Sequence, residues 1–320
     1  MDRAVQQTDY DAFSCRMAAI LKGYLPSKAQ MDTCGYKDYK EVHVEYTGAL
    51  KGLSRRIYSQ VDRACRSLLP VMNHGSYVRA VSVDMEVHKF LERHGGRAQV
   101  VNLGCGSDLR MVMLLEKYRE MKYLDVDFAE CVRLKKNALQ RHSFGARLGL
   151  VEDGSMEIVT DRYSLVAGDL RNLEVVLGLL QKYTAADVPA LVITECVLCY
   201  LGDQDAKRLV DCVVGFYSHG TWVSYDPIGG SGSNDRFGSI MQYNLRESRQ
   251  LELPTLMTYN TKDSYAARFP GEPSTKTMWE YYNEDLLMEE RRRLRTLQFL
   301  DEVEELEIIL THYIILTTNW

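Results

Sequence analysis

Two glycines one residue apart, Gly104 and Gly106, end the apolar run in VVNLGCGSD (Val100 to Asp108). Glycine takes positive φ and lets a ligand approach the backbone with no Cβ in the way, while Ser107 or Asp108 can cap a following helix. Three acids follow apolar runs further on: Asp127 after YLDV, Asp169 in AGDL and Glu195 in VITEC. A turn that cradles a nucleotide, ringed by acids for its hydroxyl and amino groups, is the chemistry these residue types allow. A dinucleotide pyrophosphate asks for a third glycine three residues after the second, and position 109 is leucine. S-adenosylmethionine, which carries no phosphate, fits better. Asp127, 23 residues past Gly104, lies where an acid would accept both ribose hydroxyls. Asp169 with Leu170 suits the adenine amino group and ring, and Glu195 suits an ammonium. Any one of these acids could be a helix cap; three at three strand ends point to a site. The cofactor carboxylate calls for a cation whose planar fork grips it, Arg79 in NHGSYVR or Arg16 in SCRMAA. Taken alone, Arg16 reads as a solvated helix residue and Arg79 stands between the two readings. The run Arg291, Arg292, Arg293 and Arg295 beside Glu289 and Glu290 reads as a solvated helix face.

These residues need a scaffold, and the spacing of apolar residues predicts one. Residues 1–95 read as helices, with an amphipathic segment from Val42 to Leu69, a break at Pro70, Asn73 and Gly75, and a helix from Tyr77 to Leu91. From residue 98, strands alternate with helices: Gln99–Leu103, Tyr123–Val126, Ser164–Ala167, Ala190–Thr194 and Trp222–Tyr225, which argues a parallel sheet covered by helices. PIGGSGSN (Pro227 to Asn234) is the one Gly/Ser-rich stretch and reads as a functional loop after the fifth strand. A helix over Asp285–Leu297, a charged stretch DEVEELE and a last strand over His312–Thr318 close the chain.

Composition narrows the class. At 320 residues with 46% hydrophobic content, the chain can build one large core. A net charge of −5 gives no basic field for nucleic acid. No apolar run is long enough for a membrane span and the first residues lack a signal-peptide core, so a cytoplasmic protein is expected. The eight cysteines read as reduced and buried; Cys196 and Cys199 form one C-x-x-C with no second pair at zinc-site spacing, so no metal is expected.

The chain resembles the leucine carboxyl methyltransferase family, in the fungal form that acts on type 2A protein phosphatase. The likeness rests on QQTDYDAFSC, NLGCGSDLR, YLDVDF, GDL, ITECVLCYL, SYDPIGG with NDRFGSIMQ, and LQFLDEVEEL with HY. It implies an α/β class I S-adenosylmethionine-dependent fold: a mostly parallel seven-stranded sheet with its last strand antiparallel, under a helical N-terminal lid. The division that follows is a lid over 1–95, a cofactor-binding half over 96–226, and substrate loops with closing strands over 227–320. Asn102 in place of the acid usual before this turn, and Asp108 in place of a third glycine, are features the family shares. Carried over by position, Arg79 would hold the cofactor carboxylate with Arg16 beside it, Gly104 the turn, Asp127 the ribose, Asp169 and Leu170 the adenine, and Glu195 the amino group. The resemblance also implies the reaction, methyl esterification of the C-terminal leucine carboxylate of the phosphatase catalytic subunit, by a monomer. Arg79, Tyr200 in CVLCYL, and Asn234, Asp235 and Arg236 of NDRFG are candidates for orienting that carboxylate. Two other readings stay open. A small-molecule O-methyltransferase would need a base for a neutral hydroxyl, and no histidine follows a predicted strand; a non-catalytic binding protein would be expected to have lost acids or glycines that are present here.

Overall fold

The computed structural model of the protein describes residues 2–67, 69–150, 154–230, 235–301 and 303–320. Short apolar runs become strands because helices cover both faces of the sheet and leave few positions for polar side chains. All five residues of β1 (Gln99–Leu103) are buried. The others are β2 (Lys122–Asp127), β3 (Ile158–Val159), β4 (Tyr163–Ala167), β5 (Ala190–Glu195), β6 (Gly220–Pro227), β7 (Ser274–Thr277) and β8 (Tyr313–Asn319). They form one sheet in the order β3-β4-β2-β1-β5-β6-β8-β7. From β4 to β6 the pairing is parallel. β8 inserts antiparallel between β6 and β7, with Thr221 opposite Asn319 and Pro227 opposite Tyr313. The alternation of the pleat divides the core: Val100, Tyr123 and Ile193 join one apolar cluster, Val101, Leu124 and Val192 the other.

This is the class I methyltransferase architecture with one strand more than the expected seven. The extra strand, β3, is a two-residue antiparallel edge on β4, too short to leave a pattern in the sequence. β7 is STKT, with no alternation of apolar residues to announce it.

Four long helices precede the sheet: α1 (Asp2–Leu21), α2 (Tyr39–Leu53), α3 (Arg55–Ser67) and α4 (Pro70–Arg93). The expected single segment over 42–69 is two helices, because Ser54 is extended at φ −149° and ψ 103°. The expected break at 70–75 is a helix start. Pro70 occupies the first turn, where its missing N–H costs nothing, and Asn73 and Gly75 lie inside α4. Buried Asn73 donates to the Gln298 side chain at 2.6 Å, a contact no local pattern reveals. Downstream, α5 (Arg110–Lys117) and α6 (Ala129–Leu139) follow β1 and β2.

Candidate active site

The carboxyl ends of β1, β2, β4 and β5 open into one cavity of about 1080 Å³, roofed by α1 and α4. Ligands of open α/β sheets bind at this edge. Of the residues singled out as a possible site, Arg16, Arg79, Gly104, Asp127, Asp169, Leu170, Glu195, Tyr200, Asp235 and Arg236 all line it. Asn234 lies outside the described residues.

At the glycine turn, Gly104 has φ +70°, and a Cβ there would sit 2.6 Å from Val197 Cγ2. Gly106, at φ +43°, donates its N–H to Asp127 Oδ2 at 2.7 Å, and the Phe128 N–H donates to Asp127 Oδ1 at 2.7 Å. Burial pushes the Asp127 carboxyl up to about 6, against the pull of the Gly106 N–H. A second acid reaches the same turn from α1. The Asp9 carboxylate accepts from the Ser107 N–H at 2.6 Å and the Ser107 hydroxyl at 2.7 Å, and it fills the space a Cβ on Gly106 would need. Three acids, Asp9, Asp108 and Asp127, therefore line the cavity at the turn. With the Gly106 and Ser107 N–H groups already donating to Asp127 and Asp9, the turn is ill suited to a pyrophosphate and suits a ligand that presents hydroxyls.

Deeper in, Glu195 is gripped by three arginines. Its Oε1 accepts from Arg79 Nε at 2.7 Å and Arg16 Nη2 at 3.0 Å, and its Oε2 accepts from Arg110 Nη2 at 2.8 Å. Burial alone would raise the Glu195 carboxyl; Arg110, Arg79 and Arg16 outweigh it and hold the group well below the usual carboxylate range. Arg110 is itself only 2% exposed, held by Asp84 at 2.5 Å and Asp108 at 2.6 Å. Arg16 is thus no solvated helix residue: it bridges the lid helix to Glu195, and Asp108 lies 3.6 Å away. Arg79 also lies over the Tyr225 ring, 5.2 Å from its centroid.

Asp169 sits at the rim. Arg171 pairs with it at 2.6 Å and also with Asp2 of α1 at 2.9 Å, tying the first turn of the lid helix to the strand end. Cys196 links Glu195 to the short turn Leu198–Tyr200 and holds φ +57°, a left-handed conformation that costs a non-glycine residue roughly 1 kcal/mol. Its N–H donates to the Tyr225 carbonyl at 2.6 Å, and burial pushes its thiol up to about 12, so it packs rather than reacts. The expectation of eight buried cysteines needs correcting: all are unpaired, but Cys15, Cys65, Cys196 and Cys212 are only half-buried.

The far end of the cavity is less acidic. Tyr200, Met241 and Leu245 pack against Leu253 and Cys199, and all five line the wall. Arg236 stands there as the residue before the helix Phe237–Arg249. Among the described residues, His312 is the one histidine on the lining; its Nδ1 faces the Ile308 carbonyl at 2.6 Å and its Nε2 faces Asp235 at 3.0 Å. Both nitrogens thus face oxygen partners within the fold.

Sequence reasoning passed over Asp9, Asp84, Arg110, Arg171 and His312 as site residues. Asp9, Arg110 and His312 lie inside motifs that carry the family resemblance, but their contacts with Ser107, Glu195 and Asp235 span 98, 85 and 77 residues of sequence.

A profile of the leucine carboxyl methyltransferase family matches residues 38–214. The chain is 60% identical to leucine carboxyl methyltransferase 1 of Eremothecium gossypii, the alignment covering all of both chains. It is 48% identical to the protein of that name from Kluyveromyces lactis, covering 100% of this chain and 99% of the relative. Among solved structures, a DUF574 family protein from Streptomyces avermitilis superposes with a TM-score of 0.50 at 11% identity, covering 94% of this chain and 95% of the other, a likeness of fold.

Proposed function

Since the chain belongs to the leucine carboxyl methyltransferase family and is a methyltransferase, we propose that it esterifies the C-terminal leucine of the catalytic subunit of type 2A protein phosphatase, with S-adenosylmethionine as methyl donor. The observation that carries this reading is the joining of the acid-lined glycine turn, the Glu195–arginine cluster and an apolar far wall in a single cavity. The residues fit the donor. Asp127 keeps lone pairs for two ribose hydroxyls, Asp169 and Leu170 flank the adenine, Glu195 takes the ammonium, and Arg79 with Arg16 takes the carboxylate, so the zwitterion meets an anion and cations already side by side. In this reading residues 1–95 are the lid, 96–226 hold the cofactor and 227–320 face the acceptor. The protein acts as a cytoplasmic monomer; no helix among the described residues is long and apolar enough to cross a membrane.

When bound, S-adenosylmethionine supplies an electrophilic methyl group on a sulfonium. The acceptor carboxylate, with a pKa near about 3.5, is already anionic at neutral pH and needs no base. One of its oxygens would receive the methyl group, the donor's carbon–sulfur bond pair staying on sulfur, so the protein would have no proton to move. The work left to the protein is placement at roughly 3–3.5 Å, in line with the sulfur, and exclusion of water. Arg236, Tyr200 and Arg79 orient the carboxylate, and the wall of Met241, Leu245 and Leu253 takes the leucine side chain. The engagement of both His312 nitrogens favours this acceptor over a neutral hydroxyl. Incubation with methyl-labelled cofactor and phosphatase, then mild base, tests the reading: volatile labelled methanol is expected, and a base-stable label refutes the ester.

Two results on the cofactor end follow. Asp127→Ala and Arg79→Ala are each expected to weaken cofactor binding by about 10- to 100-fold, since each removes a charge-assisted bond, and calorimetric titration measures it. Wild-type affinity in either variant removes that residue from the site. The raised Asp127 sets a pH dependence as well. Its ionised form accepts the hydroxyls, so protonation competes with binding, and affinity is expected to fall toward tenfold per pH unit below about 6 while staying flat above. Asp127→Asn should flatten the profile; an unchanged slope in that variant assigns the titration to another group.

A further inference from the structure

His312 holds two neighbours of one functional candidate. Beyond its contacts with Ile308 and Asp235, its ring stacks on Phe237 with centroids 4.1 Å apart and planes inclined by 19°. Its carbonyl accepts the Ile228 N–H at 2.9 Å, which binds it to the residue just past the end of β6. The Gly238 N–H returns to the Gly229 carbonyl at 3.1 Å. Gly230 makes room for the ion pair: at φ +87° a Cβ there would lie 2.6 Å from His312 Nε2 and against the Asp235 carboxylate. Asp235 also accepts the Phe237 N–H at 3.2 Å, and the Arg236 carbonyl accepts the Ile240 N–H at 3.0 Å as the helix starts. Arg236 is thus the residue between the two that His312 grips, exposed and facing the cavity.

We propose that His312 is a positioning residue for the acceptor: by pairing with Asp235 and stacking on Phe237 it fixes the backbone that presents Arg236 to the carboxylate. The inference rests on the reading of Arg236 as an acceptor contact. A side chain as long as arginine places its fork well only if the backbone beneath it is fixed, and a misplacement of about 1 Å costs a large part of a positioning effect. The pair also explains a glycine at 230, where any side chain would part His312 from Asp235.

The test is steady-state kinetics of the full-length protein with the folded phosphatase, alongside cofactor titration. His312→Phe keeps a ring on Phe237 and removes the pair; His312→Gln keeps a donor for Asp235. His312→Phe is expected to raise the acceptor KM by about tenfold with cofactor affinity unchanged, and His312→Gln to recover much of that loss. On an Arg236→Ala background, His312→Phe should add less than about twofold, since its effect passes through the missing side chain. A full tenfold effect on that background, or a parallel loss of cofactor affinity, overturns the proposal. So does an Arg236→Ala variant with normal acceptor kinetics, while the base-labile product still upholds the reaction; a base-stable product fells the functional reading instead. Should His312→Phe fail to fold, Asp235→Asn is put through the same comparison, with the same outcomes deciding.

Discussion

Arg110→Ala is expected to cost the folded state roughly 3 to 5 kcal/mol, the range for removing one partner from a buried ionic cluster. The guanidinium lies 2.5 Å from Asp84, 2.6 Å from Asp108 and 2.8 Å from Glu195, with its side chain 2% exposed. Without it, Asp84 stays out of water with its arginine partner gone, while Asp108 keeps Arg16 and Glu195 keeps Arg16 and Arg79; burial then pushes the Asp84 carboxyl further above its unfolded value. The sign then follows. A carboxyl whose folded pKa exceeds its unfolded value binds more protons when folded, so the variant's deficit should shrink as pH falls from 7 toward about 5. Urea unfolding at both pH values reads this. A deficit below about 1 kcal/mol at neutral pH would mean that the cluster is hydrated or redundant. Arg110→Lys should recover part of the loss, because one ammonium restores the charge but cannot reach three carboxylates in a planar fork. Cofactor affinity should fall with Arg110→Ala even where the protein stays folded, since Glu195 loses the anchor on its Oε2 and keeps only Arg16 and Arg79 on Oε1.

What was legible in the sequence is what local pattern determines. The parallel strands read clearly because burial on both faces makes each an apolar run, and an acid just past three of them is visible without a structure. Arg79 and Glu195 could be matched as cation and anion for a zwitterion, but not as direct partners 2.7 Å apart. Contacts of long sequence separation stayed hidden. Asp9 reaches Ser107 across 98 residues and Arg16 reaches Glu195 across 179, so the lid's grip on the turn and on the acid had no local signature. The break between α2 and α3 falls at Ser54, where the charges and apolar spacing on either side continue without interruption. Asn73 and Gly75 look like helix breakers but are held inside α4 by tertiary packing, and this outweighs a propensity cost of about 1 kcal/mol for the glycine. β7 escaped because an edge strand of four residues, three of them not fully buried, needs no apolar alternation.

The most direct test of the account concerns the acceptor itself. An α-carboxylate supplies its own nucleophile, and the histidine beside the acceptor end has both nitrogens engaged. Capping the phosphatase's terminal carboxylate as an amide removes the anionic oxygen and leaves the rest of the substrate unchanged. Methyl transfer to the capped subunit, to a subunit lacking the terminal leucine, and to the intact one should therefore be measured side by side with labelled cofactor. The account predicts a base-labile methyl group on the intact subunit and none on the other two; methylation of the amide-capped subunit would contradict it.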